Sequence, residues 1–168
     1  MRGIRICPCR RAAEQSGRVM SMSTQENKKL VMEGYQLFKS GDIRGLLDRY
    51  HDNAEWIAPE AEYLPFGGSF HGKQEIGRFF AELDASVQAT RFEPRHFIAE
   101  GDKVVVTGDS SWVAKATGIA YDNPWVHVFT IHDGKVARFE GYYDTAPASR
   151  ALHPVSTSAQ AAATHLHH

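Results

Sequence analysis

Between Thr90 and Tyr143 the chain alternates in steps of two and is interrupted by short glycine-bearing turns, and this restricts the fold more than any other feature. β-Branched and aromatic residues fill the runs 91–99, 103–114, 124–132 and 135–143, the composition of half-buried strands. Glu100-Gly101-Asp102 and His132-Asp133-Gly134 join successive runs. Connections this short make hairpins, so the sheet is antiparallel. In the last hairpin the loop length decides which side chains share a face, because a one-residue slip turns the whole strand over. A two-residue Asp133-Gly134 loop would place His127 and Phe129 with Arg138 and Glu140. A three-residue His132-Asp133-Gly134 loop places Trp125, His127, Phe129 and Ile131 with Ala137, Phe139, Gly141 and Tyr143. The second register separates apolar from charged residues and is the one predicted. It leaves the imidazole of His127 on an otherwise aromatic face.

Helices precede this meander. Ser23 stands three residues before Glu26, the spacing of a capping box, and Leu30, Val31, Gly34, Leu37 and Phe38 recur at helical steps until Gly41 stops the helix. Asp42 caps a second, short helix with Ile43, Leu46, Leu47 and Tyr50 on one side. Residues 54–58 (AEWIA) predict a short strand, and the Pro- and Gly-rich PEAEYLPFGGSFHG a loop across a cavity mouth. A third helix follows with the stripe Ile76, Phe79, Phe80 and Leu83. Helices first and a meander afterwards predict an α+β domain with the three helices packed on one face of a curved sheet.

Size and charge set outer limits. At 168 residues with 42% apolar content the chain supports one domain with a core. Five arginines against Glu14 in residues 1–18 leave the remainder acidic, which argues against nucleic acid as a partner. The head has no apolar run of the length a secretory signal needs, and no stretch reaches the ~18 residues of a membrane span. Residues 1–22 are therefore set apart as an extension, 23–150 as the domain and 151–168 as a tail. Cys7 and Cys9 form C-P-C in the head, without the spacing of a zinc site, and His165, His167 and His168 end the tail. The cysteine-free domain suits a reducing cytoplasm. No phosphate loop, H-E-x-x-H, G-x-S-x-G or nucleotide fingerprint occurs, and TGDSSW and ATGIAYDNP read as turns.

Three stretches, GYQLFKSGDIRGLLDRYHDNAEWIAP, PFGGSFHGKQEIGRFF and HVFTIHDGKVARFEGYYD, resemble the SnoaL-like branch of the nuclear transport factor 2 and ketosteroid isomerase superfamily over roughly residues 26–148. The resemblance implies a cone-shaped α+β fold, a curved antiparallel to mixed sheet around a deep apolar pocket, a homodimer, and neither metal nor organic cofactor. The ketosteroid isomerase site does not carry over: its general-base position is Ala58, its helix-one tyrosine falls near Gly34 with Tyr35 one step around, and its protonated-aspartate position is His127. The Asp-Arg-Asp relay of the epoxide hydrolases of this superfamily has no counterpart on one sheet face. SnoaL-like cyclases place an acid/base aspartate after an aromatic at the end of the last strand, which transfers to Asp144 in YYD; joining it to His127 requires a bulge or turn after Tyr143.

The candidate catalytic residues are thus Asp144 and His127, the latter neutral in an aromatic pocket; each also has a structural reading, as a strand-end cap and as a core histidine. Candidate ligand contacts are Trp56, Tyr63, Phe66, His71, Phe80, Trp112, Trp125, Phe129 and Tyr143. The leading expectation is a cofactor-free enzyme that moves a proton on a hydrophobic carbonyl compound. Alternatives are a noncatalytic binding module and a dimerising domain using Val126, Val128 and Tyr142 on the opposite sheet face.

Overall fold

The structure, a computed structural model, describes residues 23–153; the arginine-rich head, the two cysteines and the histidines of the tail lie outside the described residues. The elements in chain order are α1 (Thr24–Lys39), α2 (Ile43–Leu47), β1 (Tyr50–Ala58), β2 (Gly68–His71), α3 (Gly72–Ser86), β3 (Val87–Glu100), β4 (Lys103–Ala114), β5 (Ala120–His132), β6 (Lys135–Tyr143) and α4 (Thr145–Leu152). The Ser23–Glu26 capping box closes reciprocally at the start of α1, and Asp42 accepts from Gly45 N–H at the start of α2. Gly41 between them takes φ 77°, which a side chain would resist.

The six strands form one mixed sheet in the order β2-β1-β6-β5-β4-β3. β1 runs parallel to β6, and every other pair is antiparallel. A parallel neighbour needs a crossover, and α3 with the meander supplies it. α1 packs on β3 and β4, α3 on β1 and β2, and α2 lies against both helices. β4 shows the pattern most plainly: Val104, Val106, Gly108, Ser110, Trp112 and Ala114 are buried at strict steps of two, and together with Ile76 of α3, which has no exposed surface, they form the centre of the core. The opposite sheet face carries Val126, Val128, Glu140 and the exposed Tyr142. Among the described residues no helix is long and apolar enough to cross a membrane.

The last hairpin reaches the predicted face by a different route. His132 pairs with Lys135, so the loop is the two-residue Asp133-Gly134, both at positive φ (46° and 74°) as a tight hairpin turn demands. Between Thr130↔Arg138 and Ile131↔Val136 the register then slips by one, which leaves Ala137 as an extra residue. This bulge restores Trp125, His127 and Phe129 opposite Tyr143, Gly141 and Phe139. Val136, at 3% exposure, takes the core position predicted for Ala137.

Two further expectations are corrected, and one element is added. The end of the predicted loop, Gly68–His71, is strand β2, with Phe70 opposite Trp56; four residues are too few to show a period. TGDSSW lies inside β4 and most of ATGIAYDNP inside β5. Gly108 there is a packing device, since a Cβ at that position would fall 2.3 Å from Cζ2 of Trp125. The added element is α4, which follows Tyr143 and carries Pro147 in its first turn where no backbone donor is needed.

Candidate active site

The inner sheet face and the helices do not close on each other completely. Between them lies a cavity of about 120 Å³. Apolar cavities of roughly 150 Å³ accept a single benzene ring, so a one-ring ligand matches this volume. The wall is elongated: on β6 it runs from Val136 to Tyr143, a distance of about 23 Å at strand rise. It includes all three tryptophans, Trp56, Trp112 and Trp125. Among the described residues no carboxylate lines it, and Arg49 is its single permanent charge.

The polar centre of the cavity is a pair formed across the fold. Tyr35, on the buried side of α1, lies 2.8 Å by its hydroxyl from Nδ1 of His127 on β5. The two rings are within 10° of parallel with centroids 6.0 Å apart. His127 stacks on Trp125 at 4.0 Å and meets the edge geometry of Phe139 at 4.8 Å. It retains some accessible surface, yet it is enclosed by protein, so that surface faces the cavity. Burial lowers its pKa to about 3, leaving it neutral at pH 7. The Tyr35 hydroxyl is shifted well upward, first by burial and then by Tyr50. Among the described residues Nδ1 is the sole side-chain partner of that hydroxyl. In the tautomer that carries the ring hydrogen on Nε2, the hydroxyl donates to Nδ1. That tautomer of the pair presents an N–H donor to the cavity.

Around it, Trp112 Nε1 donates to Ser110 Oγ at 2.7 Å, and Ser110 Oγ donates to the Asn123 carbonyl at 2.9 Å. Trp56 Nε1, Trp125 Nε1, Asn123 Oδ1 and Arg49 Nε, all from wall residues, are buried without a hydrogen-bond partner. Burial pushes the Tyr143 hydroxyl up to about 12. No cluster of three or more metal-ligating side chains occurs among the described residues.

The structure brings His127, Trp56, Phe66, Phe80, Trp112, Trp125, Phe129 and Tyr143 together on the cavity wall. It places Asp144, His71 and Tyr63 elsewhere. The chain does turn after Tyr143, but outward: Asp144 is exposed and caps α4 by accepting from Ala146 N–H at 3.0 Å. His71 ends β2 beside α3 with a side chain 66% exposed, 3.9 Å from Glu55. Tyr63 takes φ 66° in the 59–67 loop and sets its ring edge-on to His153 at 4.4 Å, outside the cavity. Tyr35 and Arg49 are wall residues that sequence reasoning missed. For Tyr35 a signal was present, since Val31, Tyr35 and Phe38 stand at helical steps on one face.

Comparison with known proteins agrees with this architecture. The SnoaL-like domain family matches residues 31–139. Among solved structures the chain is similar to an NTF2-like protein from Burkholderia xenovorans, with 30% identity, 79% of this chain and 99% of that chain covered, and a TM-score of 0.72. It is similar to an NTF2-like protein from Burkholderia pseudomallei at 28% identity, covering 79% and 100% of the two chains with a TM-score of 0.71. TerC, co-crystallised with polyporic acid, is 31% identical over 77% of this chain and 99% of its own, with a TM-score of 0.70. No functionally curated protein matches. With the family match spanning α1 to β6 and the sheet and helices arranged as in these structures, the chain belongs to the SnoaL-like domain family and has the NTF2-like fold.

Proposed function

We propose that the cavity binds a small hydrophobic carbonyl compound and that the Tyr35–His127 pair donates a hydrogen bond to its oxygen, favouring proton transfer through the enol form. The observation that carries this reading is the 2.8 Å contact between the Tyr35 hydroxyl and His127 Nδ1 in a wall without carboxylates. A fixed donor in a dry site stabilises charge developing on oxygen far better than the same donor in water. His127 acts as the donor and not as the base, because a base works best with a pKa near the working pH and burial holds this one near 3. No side-chain carboxylate lines the wall among the described residues, so the carbon-bound proton leaves to solvent at the cavity opening and returns from it, while the enolate oxygen keeps the His127 hydrogen bond. Asp144 has no part in this mechanism. That TerC, at 31% identity, was co-crystallised with polyporic acid supports an organic small molecule as the occupant.

A second reading, a carrier that binds without chemistry, draws on the same lack of a base near neutral pH. Aromatic ketones of one ring, with polyporic acid as a further binding probe, would be titrated by tryptophan fluorescence, and deuterium uptake by the ketones followed in heavy water. The enzyme reading expects saturable binding and uptake above the buffer rate, both weakened in His127→Ala, with uptake reduced in Tyr35→Phe and unchanged in Asp144→Asn. Binding with uptake at the buffer rate in all proteins would leave the carrier. Absence of binding by any compound would refute both.

A further inference from the structure

Among the described residues Arg49 is the one charged residue on the cavity wall, and its guanidinium is only partly used. Nη1 donates to Glu33 Oε2 on α1 at 2.6 Å. Nε is buried without a partner, and Nη2 makes no hydrogen bond among the described residues. Nε–H and the adjacent Nη2–H form the side-on fork that a carboxylate engages with two parallel bonds. Glu33 occupies the other edge and leaves that fork unpaired among the described residues. A buried, unpaired donor of a charged group is unfavourable, and an acceptor in the cavity would satisfy it.

The position of Arg49 adds a length. Val136 N–H donates to the Arg49 carbonyl at 2.9 Å, which ties this residue to the start of β6, while His127 pairs with Gly141 five residues further on. The two backbone positions are therefore about 16 Å apart along the strand. With the reach of the Arg49 side chain subtracted, a ligand held at both ends spans on the order of 10 Å.

From this arrangement we infer that the cavity is built for an elongated apolar ligand with an acceptor oxygen at one end, held by His127, and a carboxylate at the other, held by the free fork of Arg49. The inference rests on the carbonyl-binding role proposed above for the Tyr35–His127 pair and adds the anionic group. The wall carries no carboxylate to repel such a ligand. Glu33, which also lies 3.9 Å from Lys29 on α1, partly neutralises Arg49 in the unliganded state. Ligand binding turns the guanidinium about its flexible stem, which presents Nε and Nη2 and lengthens the cavity at that end beyond its unliganded one-ring volume.

The test uses phenyl ketones that bear a terminal carboxylate on three to five methylenes, each paired with its primary amide and titrated at pH 7.5 by tryptophan fluorescence. The acid should bind about tenfold more tightly than the amide at the best chain length, as one charge-assisted fork supplies. Arg49→Gln should abolish that preference, so that acid and amide bind alike. Glu33→Gln, which frees the cation without touching the wall, should increase the preference and serves if Arg49→Gln does not fold. Equal binding of acid and amide to the wild type, or a preference that survives Arg49→Gln, would overturn the inference and leave the carbonyl-binding reading intact. If neither acids, amides nor simple ketones bind, both fall together.

Discussion

Mild acid should destabilise this protein through His127. In the unfolded chain the imidazole titrates near its ordinary 6.5; in the fold, burial lowers that to about 3. Between those values the unfolded state takes up a proton that the folded state refuses. Stability is therefore complete above the unfolded value and is lost as pH falls through 6.5 towards 3. At pH 5 the unfolded chain is about 1.5 pH units below its own pKa while the folded one is still neutral, a loss of about 2 kcal/mol at 1.36 kcal/mol per unit. Urea unfolding followed by tryptophan fluorescence at pH 7.5 and pH 5.0 measures it, with His127→Gln as the reference. Carboxylates that titrate over this interval do so in both proteins, so the difference between the two isolates the imidazole. The wild type should lose about 2 kcal/mol more than the variant, a midpoint difference of roughly 1 M urea at an ordinary denaturant slope. Equal losses would show that His127 charges in the fold. The dry environment and the donor role assigned to it would then both be wrong.

Gly108→Ala should cost about 1–3 kcal/mol or more by overpacking, because the new Cβ would lie 2.3 and 2.5 Å from Trp125 atoms and 2.6 Å from the Glu93 carbonyl. The lowered melting temperature should come with altered tryptophan emission, whereas a variant that melts like the wild type would contradict the packing of Trp125 on β4. Asp144→Ala removes the α4 cap and should cost about 1 kcal/mol without changing affinity for an aromatic ketone. A tenfold loss of affinity at unchanged stability would return Asp144 to the site.

Much of the fold was legible because its signals are local. The Ser23–Glu26 box, the stripe Ile76-Phe79-Phe80 and the alternation of β4 each need only a dozen neighbouring residues to be recognised. The hairpin at Asp133-Gly134 shows the limit of this reading. Hydrophobic patterning identified the buried face of β5 and β6, yet a bulge at Ala137 with a two-residue turn and a three-residue loop satisfy that pattern equally well. β2 and α4 escaped because four and eight residues hold too little periodicity, and each is held by partners distant in sequence: Phe70 by Trp56, and α4 by contacts with β4 and β5.

The candidate site was legible as a list of aromatic residues and one imidazole, since the burial of a face follows from the period of its strand. What those residues do was not. The partner of His127 is 92 residues away on α1, and only the packing of that helix over the sheet brings Tyr35 to it. The direction of the chain after Tyr143 likewise depends on where α4 finds apolar surface for Ala148 and Ala151, and that packing carries Asp144 out of the cavity. The sequence by itself determined the order of the longer elements, the family and the sheet face that lines the cavity, because these follow from short-range patterns. The tertiary structure alone decided which polar groups meet inside it, because hydrogen bonds between distant segments depend on geometry that no local pattern encodes.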